Sequence, residues 1–272
     1  MPASSGPLAD RVCVVTGAAK GIGRATAVEM AAQGTRGVIV CDVDDAAGHE
    51  TVELIAAAGG EAEYVRCDLR EEANIVGLMA RAVERFGAID VLHNNAGVHE
   101  GNIAGRTRVD ELETDVWEAV YQVNLRAVWL CTKHATPHLR RSRHGPAIVN
   151  SSSVAGLVGF ATAPCYVSTK GAVIQLTKAT AIDLAPMGIR CNCCCPGGVL
   201  TPMVERILDN VEDPEAMLKA SANTHLLPRR LGEPVEIARL VCFLASDAAS
   251  FINGAVITID AGSTAWRGAL DD

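Results

Sequence analysis

Short apolar runs alternate with longer amphipathic stretches along almost the whole chain, and this rhythm leaves few folds open. Strand-like runs fall at 11–16, 37–41, 62–67, 89–93, 146–152, 189–195 and 255–259. Blocks such as "RVCVV" and "GVIVC" are continuously apolar, the pattern of a strand covered on both faces. Helical stretches lie between them at 22–33, 45–58, 71–86, 112–143, 165–185 and 234–245. Strands alternating with helices build βαβ units, and right-handed crossovers lay those strands parallel. The expected class is therefore α/β, a doubly wound parallel sheet of about seven strands flanked by helices, in a single domain over 1–272. The stretch 198–230 breaks the rhythm with Pro202, Pro214 and Pro228, and reads as an inserted loop or helix pair available for substrate binding.

The totals narrow the partners. A net charge of −8 makes nucleic acid an unsuitable ligand. No apolar run approaches the roughly 20 residues of a membrane helix. "MPASSGPLADR" has no basic and apolar signal pattern, and "ALDD" matches no lipid or peroxisomal address, so a cytoplasmic location is expected. Cys13, Cys41, Cys131 and Cys242 lie inside apolar runs, where reduced thiols behave as small hydrophobes. In "RCNCCCPGG", Cys191 and Cys194 are three apart on a strand and point to opposite faces, unlike a metal or redox pair. His134 and His138 lack the glutamate of a zinc-protease motif and have Pro137 between them, so no metal is expected.

After the first strand comes "TGAAKGIGRATAVEMAAQG", with glycines at 17, 21 and 23. A tight strand-to-helix turn without side chains lets a pyrophosphate reach the amides of a helix N-terminus. Gly17, Lys20, Gly21, Ile22 and Gly23 are thus candidate cofactor residues. The second strand ends at Asp42, where an acidic group can bond the adenosine ribose hydroxyls of NAD. The same carboxylate about 4 Å from a 2′-phosphate would cost on the order of 4 kcal/mol, which favours NAD over NADP, although Lys20 offsets part of that.

The chain resembles the short-chain dehydrogenases/reductases of the single-domain, Rossmann-type branch. The likeness rests on "TGAAKGIG", "CDL" at 67–69, "NNAG" at 94–97, Asn124 in "YQVNL" and "IVNSSSVAG" at 148–156. "YVSTK" at 166–170, "PGGVLT" at 196–201 and "FINGAVITIDAG" at 251–262 complete it, all in order. It implies an NAD(P)-dependent enzyme acting on CH–OH groups, interconverting a secondary alcohol and a ketone, with a catalytic tetrad of Asn124, Ser153, Tyr166 and Lys170. Ser153 lies thirteen residues before the tyrosine, with Ser151 and Ser152 as competing assignments. The resemblance also assigns Asp68, Leu69, Asn95, Ala96 and Gly97 to the adenosine side, beside Asn94. Pro196, Gly197, Val199 and Thr201 fall to the nicotinamide side. It further implies a homotetramer.

Tyr166 and Lys170 carry a physical argument of their own. At i and i+4 on a helix they share a face. A tyrosine working near neutral pH must lose roughly 2–3 units of pKa, about 3–4 kcal/mol. A neighbouring ammonium in a partly buried site can supply that. The readings that remain beside it are a non-catalytic, redox-responsive dinucleotide-binding protein and an NADP-dependent ketoreductase.

Overall fold

The computed structural model describes residues 6–209 and 211–266, so the ends of the expected 1–272 span lie outside the described residues. Seven strands form one sheet: β1 (Val12–Thr16), β2 (Gly37–Asp42), β3 (Ala62–Arg66), β4 (Val91–Asn94), β5 (Ala147–Ser151), β6 (Arg190–Pro196) and β7 (Val256–Ile259). Their order is β3-β2-β1-β4-β5-β6-β7, and every pairing is parallel. Each observed strand end lies within two residues of its expected position.

The sheet is sandwiched, and β1 explains the continuous apolar blocks. Val12 and Val14 pack into one core with Ile75, Leu78 and Leu130, whereas Cys13 and Val15 pack into the opposite core with Met30, Ile237 and Val241. The covering helices on the first side are α3 (Glu72–Phe86) and α6 (Ala127–Leu139). On the second side they are α1 (Gly21–Ala32) and α10 (Pro234–Ala245). Burying one such aliphatic side chain stabilises by about 1.5–3 kcal/mol, against about 0–1 for an exposed ion pair, so these two cores hold the molecule. β6 obeys the same alternation: Cys191 joins the first core and Cys194 the second. All ten cysteines are free and buried.

Two regions differ from the periodicity. The 112–143 stretch is α5 (Thr114–Tyr121) and α6 joined by a π-helical turn, Gln122–Arg126. Pro137 lies within α6, which ends two residues later at Leu139. The proline-punctuated stretch contains a helix pair, α8 (Pro202–Leu208) and α9 (Pro214–Asn223). The remaining helices are α2 (Asp45–Ala57), the short α4 (Gly101–Ala104) and α7 (Pro164–Leu184). Chain order reverses between β1 and β4, so the loops leaving those strands diverge and open a crevice at their carboxyl ends.

Candidate active site

The turn after β1 is built around absent side chains. Gly17 has φ +64°, and a Cβ there would lie 2.8 Å from the Ala96 backbone. A Cβ on Gly23 would meet the Gly17 carbonyl oxygen at 2.0 Å. Asn95 fastens the turn, its Nδ2 donating to the carbonyls of Thr16 and Gly17 at 3.0 and 3.1 Å. Thr16 Oγ1 accepts from the amides of Asn95 and Ala96. Asp42 Oδ2 accepts from the Ala19 amide at 3.0 Å, which points the carboxylate along the cleft floor. Lys20 pairs with Asp44 at 2.7 Å rather than with Asp42. Asp68 is gripped by Arg70, Nε to Oδ1 at 2.9 Å, and this pair holds the carboxyl below its ordinary range.

On the opposite wall the tetrad candidates converge. The three serines are separated by their partners. Ser151 Oγ contacts His93 Nε2 at 2.9 Å, and Ser152 Oγ donates to the Lys170 carbonyl at 2.7 Å. Ser153 is the serine that acts on the Tyr166 phenol, lowering its pKa. It also caps the 154–156 turn, accepting from the Ala155 amide at 3.1 Å. Lys170 is buried and its Nζ donates to the Ser151 carbonyl at 2.9 Å. Asn124 is buried in the π turn, where Oδ1 accepts from the Val98 amide at 2.8 Å and Nδ2 donates to the Val98 carbonyl at 2.9 Å. A Cβ on Gly97 would fall 3.4 Å from Lys170 Nζ and 3.5 Å from Asn124 Oδ1, so this glycine leaves room for both.

The electrostatics differ from the expected lysine-lowered phenol. Burial is the largest influence on Tyr166 and raises its pKa; Ser153 lowers it and Glu100 raises it further. Lys170 does not offset this, because its Nζ is turned to the Ser151 carbonyl and stands 5.6 Å from the centre of the tyrosine ring. Burial also lowers the lysine's own pKa, with Cys193, Cys194 and Cys195 opposing.

Turn and tetrad wall enclose one cavity of about 650 Å³. Gly17, Lys20, Gly21, Ile22, Asp42, Asp68 and Leu69 line it, as do Asn95, Ala96, Gly97, Tyr166, Lys170, Pro196 and Thr201. Gly23, Asn124, Ser153, Gly197 and Val199 are outside this lining, whereas Ser151 and Ser152, the competing serines, belong to it. Gly23 and Gly197 act by close backbone packing, the latter against Asp260, and Val199 turns its side chain into the core. Asn94 is also turned inward, bonding Asn150 Oδ1 at 2.8 Å. Met203 and Arg206 of the 198–230 insert also line the cavity, as do Val98 and Ile103, which the sequence did not single out. His99, in the loop after β4, places its ring 4.6 Å, centroid to centroid, from that of Tyr166. Its only signal was adjacency to "NNAG".

The comparisons decide the family. A model described as enoyl-(acyl carrier protein) reductase matches residues 17–264. The chain belongs to the short-chain dehydrogenase/reductase family. It is 36% identical over 271 residues to a 3beta-hydroxysteroid dehydrogenase of Mediterraneibacter gnavus, covering 94% of this chain and 96% of that protein. It is 40% identical over 257 residues to the cis-4-hydroxycyclohexanecarboxylate dehydrogenase of Sinomonas cyclohexanicum, covering 94% and 98%. A cyclopentanol dehydrogenase of Comamonas testosteroni is 35% identical over 260 residues, covering 96% and 99%. This dehydrogenase/reductase is accordingly an NAD(P)-dependent oxidoreductase acting on CH–OH groups. Among the described residues, no helix is long and apolar enough to cross a membrane.

Proposed function

We propose that the chain is an NAD-dependent dehydrogenase interconverting an alicyclic secondary alcohol and its ketone, with Tyr166 as acid/base. The observation that carries this reading is that Tyr166 and Lys170 line one cavity together with the glycine turn and Asp42, on a wall that Asn124 braces.

A dinucleotide suits the residues present. The cradle at Gly17, Gly21 and Gly23 is one that side chains would fill, and α1 begins at it with its free amides. Asp42 at the far end supplies an acceptor for ribose hydroxyls. Lys20, the cation that could have welcomed a 2′-phosphate, is engaged by Asp44, which supports NAD over NADP. When bound, the nicotinamide would supply the hydride acceptor or donor.

The protein's own part follows from its groups. Tyr166 takes the hydroxyl proton in oxidation and returns it to the carbonyl oxygen in reduction. Ser153 donates to that oxygen as charge develops on it. Lys170 is held against the wall by the Ser151 carbonyl, one turn along α7 from the phenol, and Asn124 holds the Val98 backbone beside it. The mouth residues Val98, Ile103 and Met203 are apolar, and the relatives named above act on ring alcohols, which supports an alicyclic substrate read by 154–165 and the 198–230 insert.

We read the enzyme as one catalytic domain over 1–272, cytoplasmic and homotetrameric. Exposed Trp117, Tyr121 and Trp129 on α5 and α6, and Ile182 on α7, support association with further copies.

The test is a panel of cyclopentanol, cyclohexanols and 3-hydroxysteroids with NAD and NADP, followed by NADH absorbance, on wild type and Tyr166→Phe. The variant should fold and bind NAD yet lose about 10²–10⁴-fold in kcat. Near-wild-type turnover by Tyr166→Phe would overturn the assignment. Silence across the panel with intact NAD binding would favour a non-catalytic dinucleotide-binding protein.

A further inference from the structure

Glu100 sits in the loop before α4, yet its carboxylate lies against the first turn of α7. It is 0% exposed. Oε1 accepts from the amides of Cys165 and Tyr166 at 2.9 and 3.0 Å, and Oε2 accepts from Tyr166 at 3.2 Å. The first amides of α7 need such an acceptor, because Ala163 at the N-cap has no side-chain oxygen to offer. The Glu100 backbone carbonyl meanwhile accepts from the amides of Ile103 and Ala104. One residue therefore opens α4 at the cleft mouth and caps the helix that carries Tyr166.

Capping alone does not call for a charge. A neutral side-chain oxygen satisfies the same amides without the cost of burying an anion. Both Glu100 oxygens act only as acceptors, the role of the ionised form, and a helix N-terminus favours that form. The groups around Tyr166 are Lys170 from its own helix, Ser153 after β5, Asn124 from the π turn and His99 from the Glu100 loop. Glu118 of α5 acts on the adjoining Cys165, and Cys193, Cys194 and Cys195 of β6 surround the lysine. His99 Nδ1 is 3.7 Å from Glu100 Oε2 but accepts from the Gly101 amide, and burial lowers the imidazole's pKa, so it does not neutralise the carboxylate.

We propose that Glu100 is a positioning residue of the reaction: its carboxylate fixes the first turn of α7, and with it Tyr166, to the loop at the cleft mouth, and keeps a buried anion against the Tyr166 backbone. The inference rests on Tyr166 as the acid/base. The anion opposes phenolate formation, in line with the direction of its influence on Tyr166. It thereby adds to burial, the larger influence, in raising the pH at which the tyrosine changes state.

The test needs no substrate. The chain has three tyrosines, so the near-ultraviolet tyrosinate titration component lost in Tyr166→Phe belongs to Tyr166. In Glu100→Gln, which keeps shape and loses charge, that component should move to lower pH. In Glu100→Asp, which keeps charge one methylene short, it should stay put while the Cys165 and Tyr166 amides exchange at least about tenfold faster. An unmoved component in Glu100→Gln, or wild-type protection of both amides in Glu100→Asp, would overturn the proposal. If Glu100→Gln does not fold, the Glu100→Asp pair of readouts decides alone. Turnover surviving in Tyr166→Phe would instead sink the acid/base reading, with the titration still interpretable.

Discussion

Tyr166 and Lys170 share a face of α7, but the lysine's nearest partner is a backbone carbonyl rather than the phenol. The raised pKa of Tyr166 has a consequence with a definite sign. In the proposed reaction oxidation uses the phenolate and reduction the phenol, so kcat/KM for the alcohol should climb as pH rises from neutral, while the ketone reaction should stay level until the pH nears the raised pKa. A pH–rate profile in both directions checks this; an oxidation rate that is flat from pH 6 to roughly pH 9 would contradict it. Asp42 makes a second residue-scale prediction. With Lys20 held by Asp44, Asp42→Ala should shrink the NAD/NADP ratio of kcat/KM by about 10–100-fold, since one charge pair near the 2′ position is removed. An unchanged ratio would take Asp42 out of cofactor choice.

The elements were legible to different degrees, for reasons visible in their residues. Strands such as β1 are read easily because two cores need apolar side chains on both faces, and the sequence must then be apolar throughout. The break in 112–143 was not legible. The π turn is fixed by Asn124 bonding Val98, a contact between elements that no local period encodes. The short α4 was missed for the same reason, being held by Glu100 and by Asn102 donating to the Met203 carbonyl. The site divides likewise. Glycine spacing and the Tyr–Lys interval are local, whereas Glu100 meets partners some sixty-five residues away. Asn124→Ala should therefore destabilise the junction by about 1–3 kcal/mol for each Val98 backbone group left without its partner. Calorimetry should show a lower Tm while NAD binding, which depends on the far wall, persists. Gly23→Ala should do the opposite at the β1–α1 junction, abolishing NAD binding measured by titration, because its Cβ would overlap the Gly17 carbonyl.

At the scale of the whole molecule, the apolar surface is unevenly distributed. Ile182 is 73% exposed near the end of α7, and the fully exposed Phe251 lies two residues before Asn253, whose side chain bonds the Ala181 carbonyl. The proposed tetramer would bury such residues, so Ile182→Glu with Phe251→Asp should reduce the mass measured by light scattering without unfolding the subunit. A retained tetramer would show that association uses another surface. The ten buried thiols carry a different consequence. Threaded through both layers of the sandwich, all but Cys67, which borders the cavity, are out of reach of an alkylating reagent until the chain opens. With Cys67 replaced by alanine, labelling should stay near zero in the native enzyme and then proceed at the pace of global opening. The protein thus contains its own stopwatch for unfolding, readable without any added probe residue.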